Sequence, residues 1–215
     1  MSAKPLYRLI FLLTTVTFSQ QIAATNIKFP RDHGLHSEAT TEWWYVTANL
    51  LGDDGMDYGV QFTLFSHTPK GRNTTSQVFF GHGALSTNDE FFFSERYARS
   101  DMALADVSSD PWSLFIDHWQ WRGTQKSPLP GVLRVKEDDF EYHLQLGRAH
   151  YYLQGDKGLS QKDKQGELSS HYYSAPFIPV SGTIVFDKKK VTVKGTAWLD
   201  REWSTHQLVG DALGW

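Results

Sequence analysis

The chain has 215 residues, 24 acidic against 21 basic side chains, and no cysteine. A net charge of −3 excludes bulk attraction to nucleic acid or anionic lipid as the main activity. Eight Trp, nine Tyr and fourteen Phe exclude a disordered chain, and the missing cysteines exclude a disulfide scaffold, a thiol nucleophile and any Cys-based metal site.

In chain order, residues 1–24 come first and read as a secretory leader. Lys4 and Arg8 give a positive start, an uncharged run from Leu9 to Phe18 follows, and Ile22-Ala23-Ala24 offers a cleavage point before Thr25. Secretion or a periplasmic location is therefore expected. The remainder, 25–215, reads as one all-β domain. Val60, Phe62 and Leu64 alternate with Gln61 and Thr63. Phe140, Tyr142, Leu144 and Leu146 do the same, as do Ile184 with Phe186 and Val191 with Val193. Turn signals fall at Gly52-Asp53-Asp54-Gly55, Pro69-Lys70-Gly71, Asn88-Asp89, Pro128-Leu129-Pro130-Gly131 and Asp187-Lys188. Residues 154–169 are polar and rich in Gly and Lys, which predicts a surface loop, and 183–197 predict a hairpin. About ten short strands at close spacing fit a sandwich or a barrel.

No Gly-x-Ser-x-Gly elbow, His-Glu-x-x-His pair or phosphate-binding Gly-Lys-Thr loop occurs, and no metal or cofactor is expected. Asp32, His33 and His36 fit either a metal-holding loop or a hydrogen-bonded loop that closes one end of the fold. His82, between Gly81 and Gly83, is either a core histidine or a cavity residue, and the glycines let another segment approach closely. The densest constellation is His171-Tyr172-Tyr173-Ser174 followed by Trp198-Leu199-Asp200-Arg201-Glu202-Trp203. On a strand, Trp198, Asp200 and Glu202 share one face, and Leu199, Arg201 and Trp203 share the other. If the first face is the barrel interior, desolvation favours a protonated Asp200 or Glu202, able to act as a general acid. The alternative is a polar network in which Arg201 pairs a carboxylate and tryptophans plug the barrel end.

Four blocks then resemble a known family. They are Phe29-Pro30-Arg31-Asp32-His33-Gly34 with Thr41-Glu42-Trp43-Trp44-Tyr45, then Gly81-His82-Gly83-Ala84-Leu85-Ser86, then His171-Tyr172-Tyr173-Ser174, then Trp198 to Ser204. In this order they resemble the carotenoid 1,2-hydratase (hydroxyneurosporene synthase) and AttH-like family, in its secreted branch labelled as hydrolases. The resemblance implies a lipocalin-like (calycin) antiparallel β-barrel, the first of two in tandem. It implies addition of water to an isoprenoid or lipid-like substrate, with Asp200 as acid, His171 orienting it, and Tyr173 and Trp198 facing a carbocation. The hydratases tend to carry Trp and Tyr at these last two positions, where this chain has Tyr173 and Trp198. A ligand cavity lined by Trp44, His82, His171, Tyr173, Trp198 and Asp200, with Glu42 and Glu202 nearby, is the resulting expectation. The other reading is a non-catalytic lipid-binding or carrier module, with an apolar ligand, a possible second barrel and only transient membrane contact. A third is a half-domain that packs on that barrel.

Overall fold

The computed structural model describes residues 26–69, 77–163 and 168–205; the leader-like segment 1–24 lies outside them. It is all-β. The strands are β1 Thr41–Gly52, β2 Asp57–His67, β3 Val78–Ser86, β4 Phe91–Arg99, β5 Ala105–Ser109, β6 Trp112–Ile116, β7 Trp119–Thr124, β8 Ser127–Lys136, β9 Phe140–Leu146, β10 Tyr152–Leu153, β11 Leu159–Gln161, β12 Ser169–Phe186 and β13 Lys189–Ser204. One antiparallel sheet runs β4-β3-β2-β1-β13-β12-β9-β8-β7-β6-β5, with β10 and β11 added to β12. It curls into a nearly closed barrel. β4 and β5 are its two ends, and no ladder joins them.

Side chains close that seam. From β4, Arg96 reaches across to Glu137 in the β8–β9 turn and to Asp117 at 3.4 Å in the β6–β7 turn. Trp119 donates its indole N–H to Glu137 at 2.7 Å. The same indole lies against β3 where Gly81 and Gly83 stand, and a Cβ at either would sit 3.2 Å from its ring. The expected close approach at these glycines is therefore the passage of Trp119. The interior is packed by large rings: Trp44, Trp112, Trp119 and Trp121 are all fully buried.

Most predicted elements appear. The Asp187-Lys188 turn links β12 to β13 with both residues at positive φ, as a two-residue hairpin of right-handed twist requires. Two expectations are corrected. Pro128-Leu129-Pro130-Gly131 is not a turn but the first half of β8, where the register with β7 slips between Arg122 and Thr124. Proline is tolerated at such an irregularity because no ladder N–H is needed. There the carbonyls of Pro128 and Pro130 accept from Trp121 Nε1 (3.1 Å) and Thr124 Oγ1 (2.8 Å). Within 154–169, β11 pairs with the start of β12, so that segment is partly sheet. The hairpin expected at 183–197 is part of a longer one: β12 has 18 residues and β13 has 16.

Candidate functional site: two faces of one strand

The faces of β13 are fixed by its apolar run. Val191, Val193, Ala197 and Leu199 are buried in the core, so Arg201 and Trp203 follow them inward. Trp198, Asp200 and Glu202 point outward. The face expected inside the barrel is therefore the outer one, so the condition set for desolvating Asp200 and Glu202, burial in the barrel interior, is not met, and the partner face supplies the interior. The neighbouring strands obey the same alternation. Glu42 and Trp44 of β1 and Tyr173 of β12 face in, while Trp43, Tyr45, Tyr172 and Ser174 face out.

On the inner face residues from the first, third and fourth of the four sequence blocks assemble a plug. The 3-10 turn Arg31–His33 lies over the barrel end, and the His33 carbonyl accepts indole N–H groups from Trp44 (3.2 Å) and Trp112 (2.9 Å). His33 Nδ1 meets Tyr173 Oη at 2.7 Å. Burial, then the Arg201 charge, pulls the His33 pKa from 6.5 down to about 4, so the ring is neutral and accepts from the phenol. Burial pushes the Tyr173 phenol well above its ordinary value. Arg201 is wholly inaccessible. It donates to the Gly34 carbonyl at 2.6 Å, to the Glu202 carbonyl at 3.0 Å and to the Glu42 carboxylate. Its guanidinium lies 3.8 Å from the Trp44 ring centre, and Nε, turned to no acceptor, is its one atom without a hydrogen bond. Glu42 also accepts the His36 main-chain N–H at 3.1 Å. Burial alone would raise the Asp32 carboxyl, but the Arg31 guanidinium and the Lys28 N–H bring it below its ordinary value. Trp203 stacks with His36 (4.1 Å between ring centres) and with His171 (5.2 Å). Of the two readings for Asp32, His33 and His36, the structure shows the loop that closes the fold. Among the described residues no group of three His, Asp or Glu is arranged to hold a metal.

The outer face carries a different arrangement. One oxygen of Asp200, Oδ1, accepts three hydrogen bonds, each of 2.7 Å, from Tyr172 Oη, Ser174 Oγ and Trp198 Nε1. The other oxygen, Oδ2, is not engaged by these three donors. Burial, with the Asp200 interaction adding to it, pushes the Tyr172 phenol up to about 12. Beside this group Glu202 accepts from Ser170 Oγ and from Lys162 Nζ at 2.6 Å, and the Lys162 ammonium lies 5.5 Å from the Tyr172 ring centre. A bulge in β12 sits opposite Trp198. Ala175 pairs with Leu199 and Ile178 with Ala197, so Pro176 and Phe177 face one residue. Phe177 has φ +55 and is 78% exposed, and Trp198 is 40% exposed. An exposed bulky residue in the left-handed region is costly and is found where a site re-aims the chain.

Cross-strand register sorts the rest of this face into rows. One row reads Tyr97, Phe80, Phe65, Trp43 and then Glu202 and Tyr172; its neighbour reads Glu95, His82, Thr63, Tyr45, Asp200 and Ser174. At about 4.8 Å per strand each row crosses roughly 24 Å. A largely aromatic stripe thus runs beside a more polar one that reaches Asp200 and ends on Ser174. His82 belongs to the polar row, between Phe65 (5.7 Å) and Phe93 (5.6 Å), and not to the interior. The eight expected site residues consequently divide. Asp200, Trp198, Glu202 and His82 stand outside; Trp44, Glu42, Tyr173 and His171 stand inside, and they do not line one cavity. Tyr172, Ser174 and Tyr45 stand in the sequence blocks without an expected role at the site, and Lys162 is not among the expected site residues. The signal for the first three was the parity set by Val191, Val193 and Leu199, which reads through to Asp200 and its register partners.

The same fold is found in solved structures of other proteins. The family model described as AttH-like matches residues 20–215. The crystal structure of a protein named as an AttH from Nitrosomonas europaea superposes with a TM-score of 0.78 at 31% identity, over 88% of this chain and 59% of that one. Kievitone hydratase from Nectria haematococca superposes with a TM-score of 0.59 at 12% identity, over 84% of this chain and 52% of that one, which is a likeness of fold. The chain thus spans little more than half the length of either structure. Among curated proteins no match is found.

Proposed function

This chain belongs to the AttH-like family, and on that premise we propose that it is a hydratase-like enzyme that adds water to a carbon–carbon double bond of an apolar, isoprenoid or lipid-like substrate. The observation that carries this is the Asp200 carboxyl, fixed through one oxygen by three donors and set beside an exposed Trp. The fold it shares with a kievitone hydratase is in keeping with it.

In the proposed reaction the Asp200 acid gives its Oδ2 proton to one alkene carbon, and the π-electrons form the new C–H bond. The cation left on the other carbon faces the rings of Trp198 and Tyr45. Water attacks that carbon and its proton returns to Asp200, so the net change is addition of one water. A positioned acid of this kind contributes about 10²–10⁴-fold. The aromatic row would hold the apolar part of the substrate. Relatives of greater length support a second barrel of the same protein as the cover that excludes water from this face. Lys4, Arg8 and the apolar run after them support export, with Thr25 as the first residue of the mature chain.

The test is turnover of isoprenoid alkenes by Asp200→Asn beside wild type. Loss of turnover with retained substrate binding is the expected result. Unchanged turnover would remove Asp200 from the chemistry. Binding without turnover in either protein would favour the carrier reading, which the same aromatic row supports.

A further inference from the structure

We propose that Gln154 is a positioning residue for Asp200, acting through the hydroxyl of Ser174. It opens the polar, Gly- and Lys-rich stretch between β9 and β12. Main-chain pairing folds that stretch back onto β12 as a strap. Tyr152 pairs with Ser174 and Leu153 with Tyr173. The Gln154 N–H donates to the Tyr172 carbonyl at 3.0 Å, and the Tyr172 N–H donates to the Gly158 carbonyl at 2.8 Å. The Gln154 main chain is thus tied to the residue whose phenol holds Asp200. Its side chain reaches the second holder: Gln154 Nε2 donates to Ser174 Oγ at 3.2 Å, and Ser174 Oγ donates to Asp200 Oδ1 at 2.7 Å.

Counting protons decides what this contact does. A hydroxyl has one proton to give, and an amide N–H can only donate. Ser174 is wholly buried, so bulk water does not compete for it. With Nε2 on a lone pair of Oγ, the Ser174 proton is left for its other two neighbours, the Tyr172 phenol and the Asp200 carboxylate. The ionised group is the stronger acceptor. An acceptor in place of Nε2 would draw that proton away, and Oδ1 would keep only Tyr172 and Trp198. The strap therefore commits Ser174 to Asp200, and it does so from outside the motif that carries the carboxyl. The bearing of this on catalysis rests on the hydratase reading above; the geometry does not.

The test follows the Asp200 side-chain carboxyl carbon by NMR against pH on the full chain, with Asp200→Asn identifying the signal. The proteins are wild type, Gln154→Glu, Ser174→Ala and the double variant. The carboxylate introduced by Gln154→Glu only accepts, so the titration midpoint of Asp200 should rise by about one pH unit relative to wild type. In the Ser174→Ala background the same change should add about half of that or less. A rise of equal size with and without the hydroxyl would be charge acting across space and would overturn the proposal, as would no rise at all. On isoprenoid alkenes, kcat of Gln154→Glu should fall about tenfold with KM little changed. A signal that follows Gln154 in a protein that turns over no alkene would sink the hydratase reading and support the positioning role. Turnover by wild type with a signal blind to Gln154 would do the reverse. If Gln154→Glu lowers the melting temperature, Gln154→Met takes its place, with a smaller rise expected and none in the Ser174→Ala background.

Discussion

Arg201 and Asp200 are neighbours in sequence and opposites in circumstance. Arg201 is enclosed, with two indole faces, three carbonyls and a carboxylate around its guanidinium. Asp200 is held at one oxygen and is partly open to water. The inner cluster has saturated its charges on other parts of the protein, which leaves it little chemistry to offer a ligand. The outer cluster has spent three donors on aiming one carboxyl oxygen. Polar residues placed side by side in a motif thus divide into those that hold the barrel end together and those that stand on the outer face. The division follows strand parity and not residue type.

Removing the inner cation should be the most damaging change. Arg201→Ala leaves the buried Glu42 carboxylate and the Gly34 carbonyl without their donor, and should cost about 3–5 kcal/mol in urea unfolding. Acidification should weaken the same region. The neutral His33 has a folded pKa of about 4 against an ordinary 6.5. The unfolded chain therefore binds its proton first, and stability is full above pH 6.5 and is lost as pH falls toward 4. The loss is of order 3 kcal/mol. His33→Asn, which keeps an acceptor for Tyr173, should flatten this dependence when unfolding is followed between those pH values. Tyr173→Phe removes the phenol from His33 and should cost about 1–2 kcal/mol by the same measurement, at neutral pH. On the outer face, Asp200→Asn should change stability by less than about 1 kcal/mol, since its partners keep access to solvent or to an amide oxygen. If its loss of turnover came with a loss of stability like that of Arg201→Ala, the contrast between the faces would fail.

The alternation of Phe140 to Leu146 made β9 legible to the residue, because one side packs in the core and the other meets water. The Asp187-Lys188 turn was legible from its residue types. The proline-rich start of β8 was not, since local turn chemistry gave way to pairing with β7 and side-chain donors took over the carbonyls. At the site, the sequence brought the right blocks together but not their sides. Glu-Trp, Asp-Arg-Glu and Tyr-Tyr each put a polar or aromatic group on both faces, so local composition is symmetric where parity has to choose. The apolar run of Val191, Val193 and Leu199 breaks that symmetry. Lys162 was illegible for another reason. It arrives from a segment whose composition reads as solvent-exposed, and its partner Glu202 lies 40 residues away.

The alternation along β13 also sets how this strand tolerates insertion and deletion. Adding or losing one residue between Gly195 and Arg201 would turn Asp200 into the core and Arg201 out into water, exchanging the plug and the site in a single step. Length changes there should survive only in pairs, or where a bulge takes up the odd residue, as the partner strand β12 does at Pro176 and Phe177. Substitution is the freer path for divergence. The even positions can drift while the odd ones keep the barrel end shut.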